Sequence, residues 1–185
     1  MTLHDLTQQF ASEGRIEAII IRPARGEPAV VVDEARAELG RGLLGDRRAT
    51  AARSGRQSSK RELTLFQAEH LPVVANWCGL VELEPIQLRR NLVVSGLNLI
   101  GMRSPFPDAI LEWAVGDEVI IQVTGPCDPC SKMAAELGLG SYNALRGHGG
   151  MTARILAGGL IRVGDRVRLN AIQNVEPKAR LGQIK

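Results

Sequence analysis

The sequence predicts a mainly β, barrel-like domain with a few short helices, and three observations carry that prediction. Short apolar runs rich in Val, Ile and Leu recur along the chain. They are separated by frequent turn formers, among them 20 Gly and 9 Pro. Neither strand–helix–strand alternation nor an internal repeat is evident, which argues against a doubly wound parallel sheet or a solenoid. The length of 185 residues suits one domain with a sizeable core. With only 3% aromatic residues, that core must rest on aliphatic side chains.

The elements follow in order. Leu3 to Ser12 reads as a short helix stopped by Gly14. Arg15 to Arg22 (RIEAIIIR) reads as a strand ended by Pro23, and Ala29 to Val32 as a second β-branched run. The glycine-rich piece Gly40 to Arg48 (GRGLLGDRR) reads as a loop. The small, polar run Ala49 to Lys60 reads as a mobile surface loop whose movement would govern access to a site. Arg61 to Phe66 alternates like a strand, and Gln67 to Cys78 has helical spacing that ends at Gly79. Further strands are expected at Ile86 to Leu88, Leu92 to Val94, Ala109 to Trp113, Glu118 to Val123, Thr152 to Leu156 and Arg166 to Asn170. Val175 to Lys185 is polar and basic, as in a loose tail. The chain thus divides into a helical extension (1–14), a barrel domain (15–172) and a basic tail (173–185).

Charge and cysteine content narrow the function classes. The net charge of +3 is mildly basic, and the cations are interspersed with acids, so a local anion pocket fits better than a nucleic-acid face. Scarce aromatics also argue against base stacking. Three cysteines cannot all pair within one chain, which points to a reducing, cytoplasmic setting. The first fifteen residues lack the pattern of an export signal, and no run is long and apolar enough to span a membrane.

The most informative stretch is TGPCDPCSKMAAELGLGSYNALRGHGGMTARIL, Thr124 to Leu156. Cys127 and Cys130 stand in a proline-rich turn before a short helical run, and a second glycine-rich turn carries His148. A thiol at such a turn can be exposed, and the unpaired N–H groups of a helix's first turn stabilise its thiolate. Cys130, with Lys132 close by, is the candidate reactive sulfur; the competing reading is a buried, inert cysteine. Cys127 is open to three readings: a redox dithiol partner of Cys130, half of a zinc site, or a structural residue. Zinc would need two more ligands from Cys78, His4, His70 and His148. Cys78, in an apolar helical run beside Trp77, reads as core.

Several separated segments then match a known family. GLLGDRR (Gly42 to Arg48), ELTLFQAEHL (Glu62 to Leu71), LRRNLVVSGLNL (Leu88 to Leu99), the stretch Cys127 to Leu156, and GGLIRVGDRVRL (Gly158 to Leu169) stand in the expected order. Together they resemble the MOSC domain, the C-terminal domain of molybdenum-cofactor sulfurases, in its stand-alone bacterial form. The resemblance implies a β-barrel MOSC fold that binds molybdenum cofactor (molybdopterin). A cysteine would act as molybdenum ligand or as sulfur (persulfide) carrier. The family's Pro-Cys dipeptide is Pro129-Cys130 here, so the implied catalytic and molybdenum-binding thiol is Cys130.

Relatives of this kind are linked to reduction of N-hydroxylated bases, which implies an oxidoreductase or sulfur-transfer enzyme. The alternatives are a non-catalytic cofactor carrier and a redox dithiol domain. Larger relatives carry a further barrel domain and an aminotransferase-like, pyridoxal-phosphate-binding domain. This sequence has neither, so a protein partner is expected to donate sulfur or electrons.

A pterin cofactor ends in phosphate, which calls for guanidinium forks and backbone N–H groups. The candidate cofactor-binding residues are Arg47 and Arg48 in the GDRR loop, Arg89, Arg90 and Asn91, Lys132, and Arg146 and His148 in RGHGG. The competing reading of each arginine is a solvated surface charge. The family more often has GDRH where Arg48 stands. Glycines around His148 let a ligand or backbone come close, and the histidine could donate to the cofactor, shuttle a proton or merely bond the turn. Asp46 and Asp165, each after glycine, and Asn98 read as turn residues.

Overall fold

The computed structural model describes residues 1–51 and 60–175. In chain order its strands are β1 (Gly14–Ile21), β2 (Val30–Val32), β3 (Glu34–Glu38), β4 (Gly42–Leu43), β5 (Leu63–Gln67), β6 (Leu92–Ser95), β7 (Ala109–Val115), β8 (Val119–Pro126), β9 (Met151–Ala157), β10 (Gly159–Arg162) and β11 (Arg166–Asn174). The α-helices are α1 (Leu3–Thr7), α2 (Arg47–Ala51), α3 (His70–Cys78), α4 (Ser131–Leu137) and α5 (Ser141–Ala144).

The main sheet runs β11, β7, β8, β9, β5, β6, β1, and β1 pairs back onto β11. The ring therefore closes as a barrel, with β2 hanging from β1 and a separate small sheet of β10, β3 and β4 beside it. Closure removes the exposed edges that an open sheet would leave. All pairings are antiparallel except β5 with β6. A parallel pair needs a crossover, and α3 lies in that connection.

Alternate strand residues fill the barrel. Ile16, Leu63, Leu65, Leu92, Trp113, Ile121, Ala153 and Val167 are completely buried there. At its centre Trp113 donates its indole N–H to the Met102 carbonyl at 2.9 Å. A second apolar cluster lies outside the ring, where Phe66 of β5 meets Val74 of α3, Met133 and Leu137 of α4, and Leu145 after α5. Helices α3, α4 and α5 thus cap one side of the barrel. Cys78 packs against this cluster, as expected, and burial pushes its thiol pKa up.

Three local departures from the sequence reading have plain causes. The strand expected at Ile86 to Leu88 is a 3-10 helix, Pro85–Leu88. Proline at its start presets φ, and Glu84 with Gln87 forms a capping box. Strand β3 (EARAE) was not anticipated, because charges at alternate positions mask its two buried alanines, Ala35 and Ala37. The first helix is shorter than expected, ending at Thr7, while Gly14 opens β1. A Cβ at Gly14 would stand 2.8 Å from Leu97 and 2.9 Å from the Ser95 carbonyl, so close strand packing explains that glycine.

The terminal segments belong to the same body. Phe10 lies edge-on to Trp113 at 4.6 Å, and His4 stacks on Phe106 at 3.7 Å. At the other end β11 continues through Asn174, past the expected boundary at 172. Most of the expected mobile loop, residues 52–59, and most of the expected tail, 176–185, lie outside the described residues.

Candidate active site

Strand β8 ends at Pro126, and the chain then turns through Cys127, Asp128, Pro129 and Cys130 into α4. Two contacts hold this turn against the RGHGG turn. The Cys127 N–H donates to the Gly150 carbonyl at 2.8 Å. The two backbones also touch, since a Cβ at Gly149 would stand 2.3 Å from the Cys127 oxygen. Gly149 is therefore required by close approach.

Arg90 locks the arrangement from within. Its Nε donates to the Gly149 carbonyl at 2.7 Å, and its Nη2 to the carbonyls of Cys127 (3.0 Å) and Asp128 (3.1 Å). A planar fork with donors at fixed angles can tie two turns together in this way; an ammonium could not. Desolvation lowers the Arg90 pKa, and the nearby Cys127 and Cys130 thiols oppose that effect.

The residue that aims Arg90 is itself unusual. Arg89 has φ 57° and ψ 32°, and among the described residues it alone holds a positive φ without being glycine. A left-handed non-glycine residue costs roughly 1–2 kcal/mol. Its backbone caps the 3-10 helix and turns the chain so that Arg90 and Asn91 face inward.

Beneath the turn lies a buried polar hub. Asp46 Oδ2 accepts from the Arg22 backbone N–H (3.1 Å), Arg22 Nε (2.9 Å) and Asn91 Nδ2 (3.1 Å), while Oδ1 accepts from the Arg48 N–H (3.0 Å). Asn91 Oδ1 in turn accepts from Arg22 Nη2, the Thr64 N–H and the Thr64 hydroxyl. Burial would raise the Asp46 pKa, but the hydrogen bonds from Arg22 and Arg48 and the Arg22 charge outweigh it and hold the pKa below the ordinary 3.8. The Asx turn expected at Asp46 is thus present, and it also joins a buried ion pair. The sequence pattern does not single out Arg22, because it closes the apolar run expected as a strand, where a solvated charge is the default. Its one signal was proline immediately after it.

The two cysteines differ sharply. Cys127 is 6% exposed, whereas Cys130 is exposed at the N-cap of α4, and its side chain makes no capping hydrogen bond. Cys130 should accordingly react with a water-soluble maleimide at least about tenfold faster than Cys127, whose labelling requires local opening. Peptide mass spectrometry of partially labelled protein reads this directly, and equal rates would contradict the burial difference.

Beside the turn is a cleft of about 400 Å³, lined by Cys127, Asp128, Gly147, Gly149, Met151 and Arg103, among others. Cys130 stands outside its lining. His148 is half-buried between Trp77 (4.9 Å) and His70 (4.8 Å), and its buried Nδ1 has no hydrogen-bond partner. Burial and then the neighbouring His148 lower the His70 pKa. Among the described residues, no group of three His, Cys, Asp or Glu side chains is placed to hold a metal ion.

The other candidates fall into two groups. Arg90 and Asn91 are buried, and their side chains are engaged by protein groups. Arg90 fastens the cysteine turn, while Asn91 belongs to the Asp46, Arg22 and Thr64 hub. Arg47, Arg48, Arg89, Lys132 and Arg146 reach partly or fully exposed positions. Arg48 also donates to the Arg61 carbonyl; desolvation, then the Arg22 and Arg61 charges, lower its pKa.

A closed barrel that presents one exposed cysteine on an arginine-locked turn defines a class of protein by fold and site alike. Residues 46–168 match the MOSC domain model, and the chain belongs to the MOSC family. Among solved structures it is similar to the YuaD protein of Bacillus subtilis, with 16% identity, TM-score 0.64, and 89% of this chain and 98% of that one covered. It is also similar to YiiM of Geobacillus stearothermophilus (19% identity, TM-score 0.61, 85% and 75% covered). YiiM of Escherichia coli is a third neighbour (20% identity, TM-score 0.56, 85% and 70% covered). These likenesses are of fold. A search of curated proteins gave no match. No helix among the described residues is long and apolar enough to cross a membrane.

Proposed function

We propose that the chain binds molybdenum cofactor at the Cys127–Cys130 turn, with Cys130 as the working thiol, and that it serves reduction of N-hydroxylated compounds. The observation that carries this reading is the exposed Cys130 thiol on a turn that Arg90 and Gly149 hold rigid. The residues present fit such a group. A thiolate is a soft donor suited to molybdenum, the adjoining cleft of about 400 Å³ has the size of a ligand site, and His148, between the Gly147 and Gly149 that line it, keeps a buried Nδ1 without a partner. When bound, the cofactor would supply the redox-active metal.

The chain's own residues would do the rest. Cys130 offers the ligand atom, or carries a terminal sulfur received from a partner. The exposed cations Arg48, Lys132 and Arg146 would meet the anionic end of the pterin, and His148 would hold or move a proton at Nδ1. A protein partner would supply electrons or sulfur. Burial of Cys127 against exposure of Cys130 favours this single-thiol reading over a working dithiol.

Native mass spectrometry and metal analysis of protein made in cells that synthesise the cofactor test the reading. Bound pterin and molybdenum are expected, lost in Cys130→Ser and largely kept in Cys127→Ser. Absence of both from the wild type refutes it. Cofactor retained without turnover of N-hydroxylated substrates under a supplied electron donor would make the chain a carrier.

A second prediction concerns Arg89. Glycine relieves its left-handed strain but loosens the unfolded chain, so Arg89→Gly should stay within about 1 kcal/mol of wild-type stability. If the strain is retained for the guanidinium's contact with cofactor, the variant loses cofactor occupancy while remaining folded. Unchanged occupancy would remove Arg89 from the site.

A further inference from the structure

A second cleft, of about 310 Å³, lies on the outer face of the barrel over β7, β8 and β9. Among the described residues, three cations line it, Lys60, Arg103 and Arg154, and no acid does. Gln122 and Arg154 stand opposite each other on β8 and β9, and each has a buried polar atom without a partner, Gln122 Oε1 and Arg154 Nε. Of the carboxylates on the neighbouring strands, Glu62 accepts the Ile155 N–H at 2.8 Å with its Oε2 and Glu112, in register with Gln122, accepts from Gln173 Nε2; neither lines the cleft.

A buried guanidinium N–H with no acceptor is costly unless something fills the place. Phe106, Pro107, Ile110 and Val123 supply an apolar part of the wall, beside the hydroxyls of Ser104 and Thr124. The site is also built in place. The Thr124 hydroxyl donates to the Lys60 carbonyl and so ties Lys60 to the sheet, and the Ser104 hydroxyl accepts the Phe106 N–H at 3.0 Å.

We infer that this cleft binds a small organic anion, a phosphate monoester or carboxylate joined to an apolar body. The anion sits between Arg154, Lys60 and Arg103, with Arg154 Nε–H donating to an oxygen. The Gln122 amide, which can present either its oxygen or its NH2, meets the polar edge. The apolar body lies against Phe106 and Ile110. Arg103 and Ser104 are shared with the cleft beside Cys127, so a ligand held here reaches toward the cysteine turn, although the inference does not depend on any cofactor there.

Calorimetric or NMR titration of the full chain tests the inference with phenyl phosphate, benzoate, inorganic phosphate and benzyl alcohol. Phenyl phosphate, benzoate or both should bind saturably, at least about tenfold tighter than inorganic phosphate or benzyl alcohol, and more weakly as salt is raised. The tighter of the two names the head group. Arg154→Met, which keeps the aliphatic stem, should weaken binding about tenfold or more, and so should the double replacement of exposed Lys60 and Arg103 by Ala. Cys130→Ser should bind like the wild type. The inference is overturned if neither organic anion saturates the protein, if inorganic phosphate binds equally well, or if a folded Arg154→Met or the double variant retains full affinity.

Discussion

Replacing Arg90 by Leu should lower the unfolding free energy by about 3–5 kcal/mol, a large share of a small domain's stability. The guanidinium is buried and donates to the carbonyls of Gly149, Cys127 and Asp128 within 3.1 Å. Leucine keeps the apolar contacts but leaves those carbonyls without their donor, each at a cost of about 1–3 kcal/mol. Arg90→Lys should recover only part of the loss, because one ammonium cannot span both turns. Urea unfolding checks the magnitude. Thiol labelling under native conditions checks the place, since Cys127 should now label nearly as fast as Cys130. A loss below about 1 kcal/mol would show that the fork does not hold the turns.

The second large effect is expected at Asp46. Asp46→Ala removes the carboxylate from Arg22 and Asn91 and leaves a buried guanidinium uncompensated, a change worth about 3–5 kcal/mol. Asp46→Asn keeps the shape but not the charge and should be only slightly milder. The same pair makes stability depend on pH. Because the folded pKa of Asp46 lies below the ordinary 3.8, its contribution is fully present above that value and disappears as pH falls through the lower, folded pKa. Acid titration of stability should therefore be shallower in Asp46→Asn than in the wild type. Superimposable acid limbs would contradict this account.

Legibility in the sequence followed the physics of each element. Strands buried on one face, such as β1 and β8, stood out through their apolar runs, and α3 through its spacing and its terminal Gly79 at φ 68°. The short pieces did not. Pro85–Leu88 has too few residues for a period to show, and β3 and β10 pair mainly with each other, with only four of their nine side chains buried. In the site, Cys130 could be singled out because a Pro-Cys turn before a helix is a local feature. Arg22 could not, since its role depends on Asp46 and Asn91, which lie 24 and 69 residues away.

The chain by itself determined a mainly β domain, a family, and a cysteine turn flanked by glycine and arginine, all consequences of local composition and short-range order. Only the tertiary structure decided what the arginines do. Burial turned Arg90 and Asn91 inward as fasteners, left Cys130 in water while covering Cys127, and gathered Lys60, Arg103 and Arg154 around one outer cleft. The reason is that the fate of a guanidinium or a thiol is set by desolvation and by the partners it meets, and closure of the barrel supplies both from distant parts of the chain.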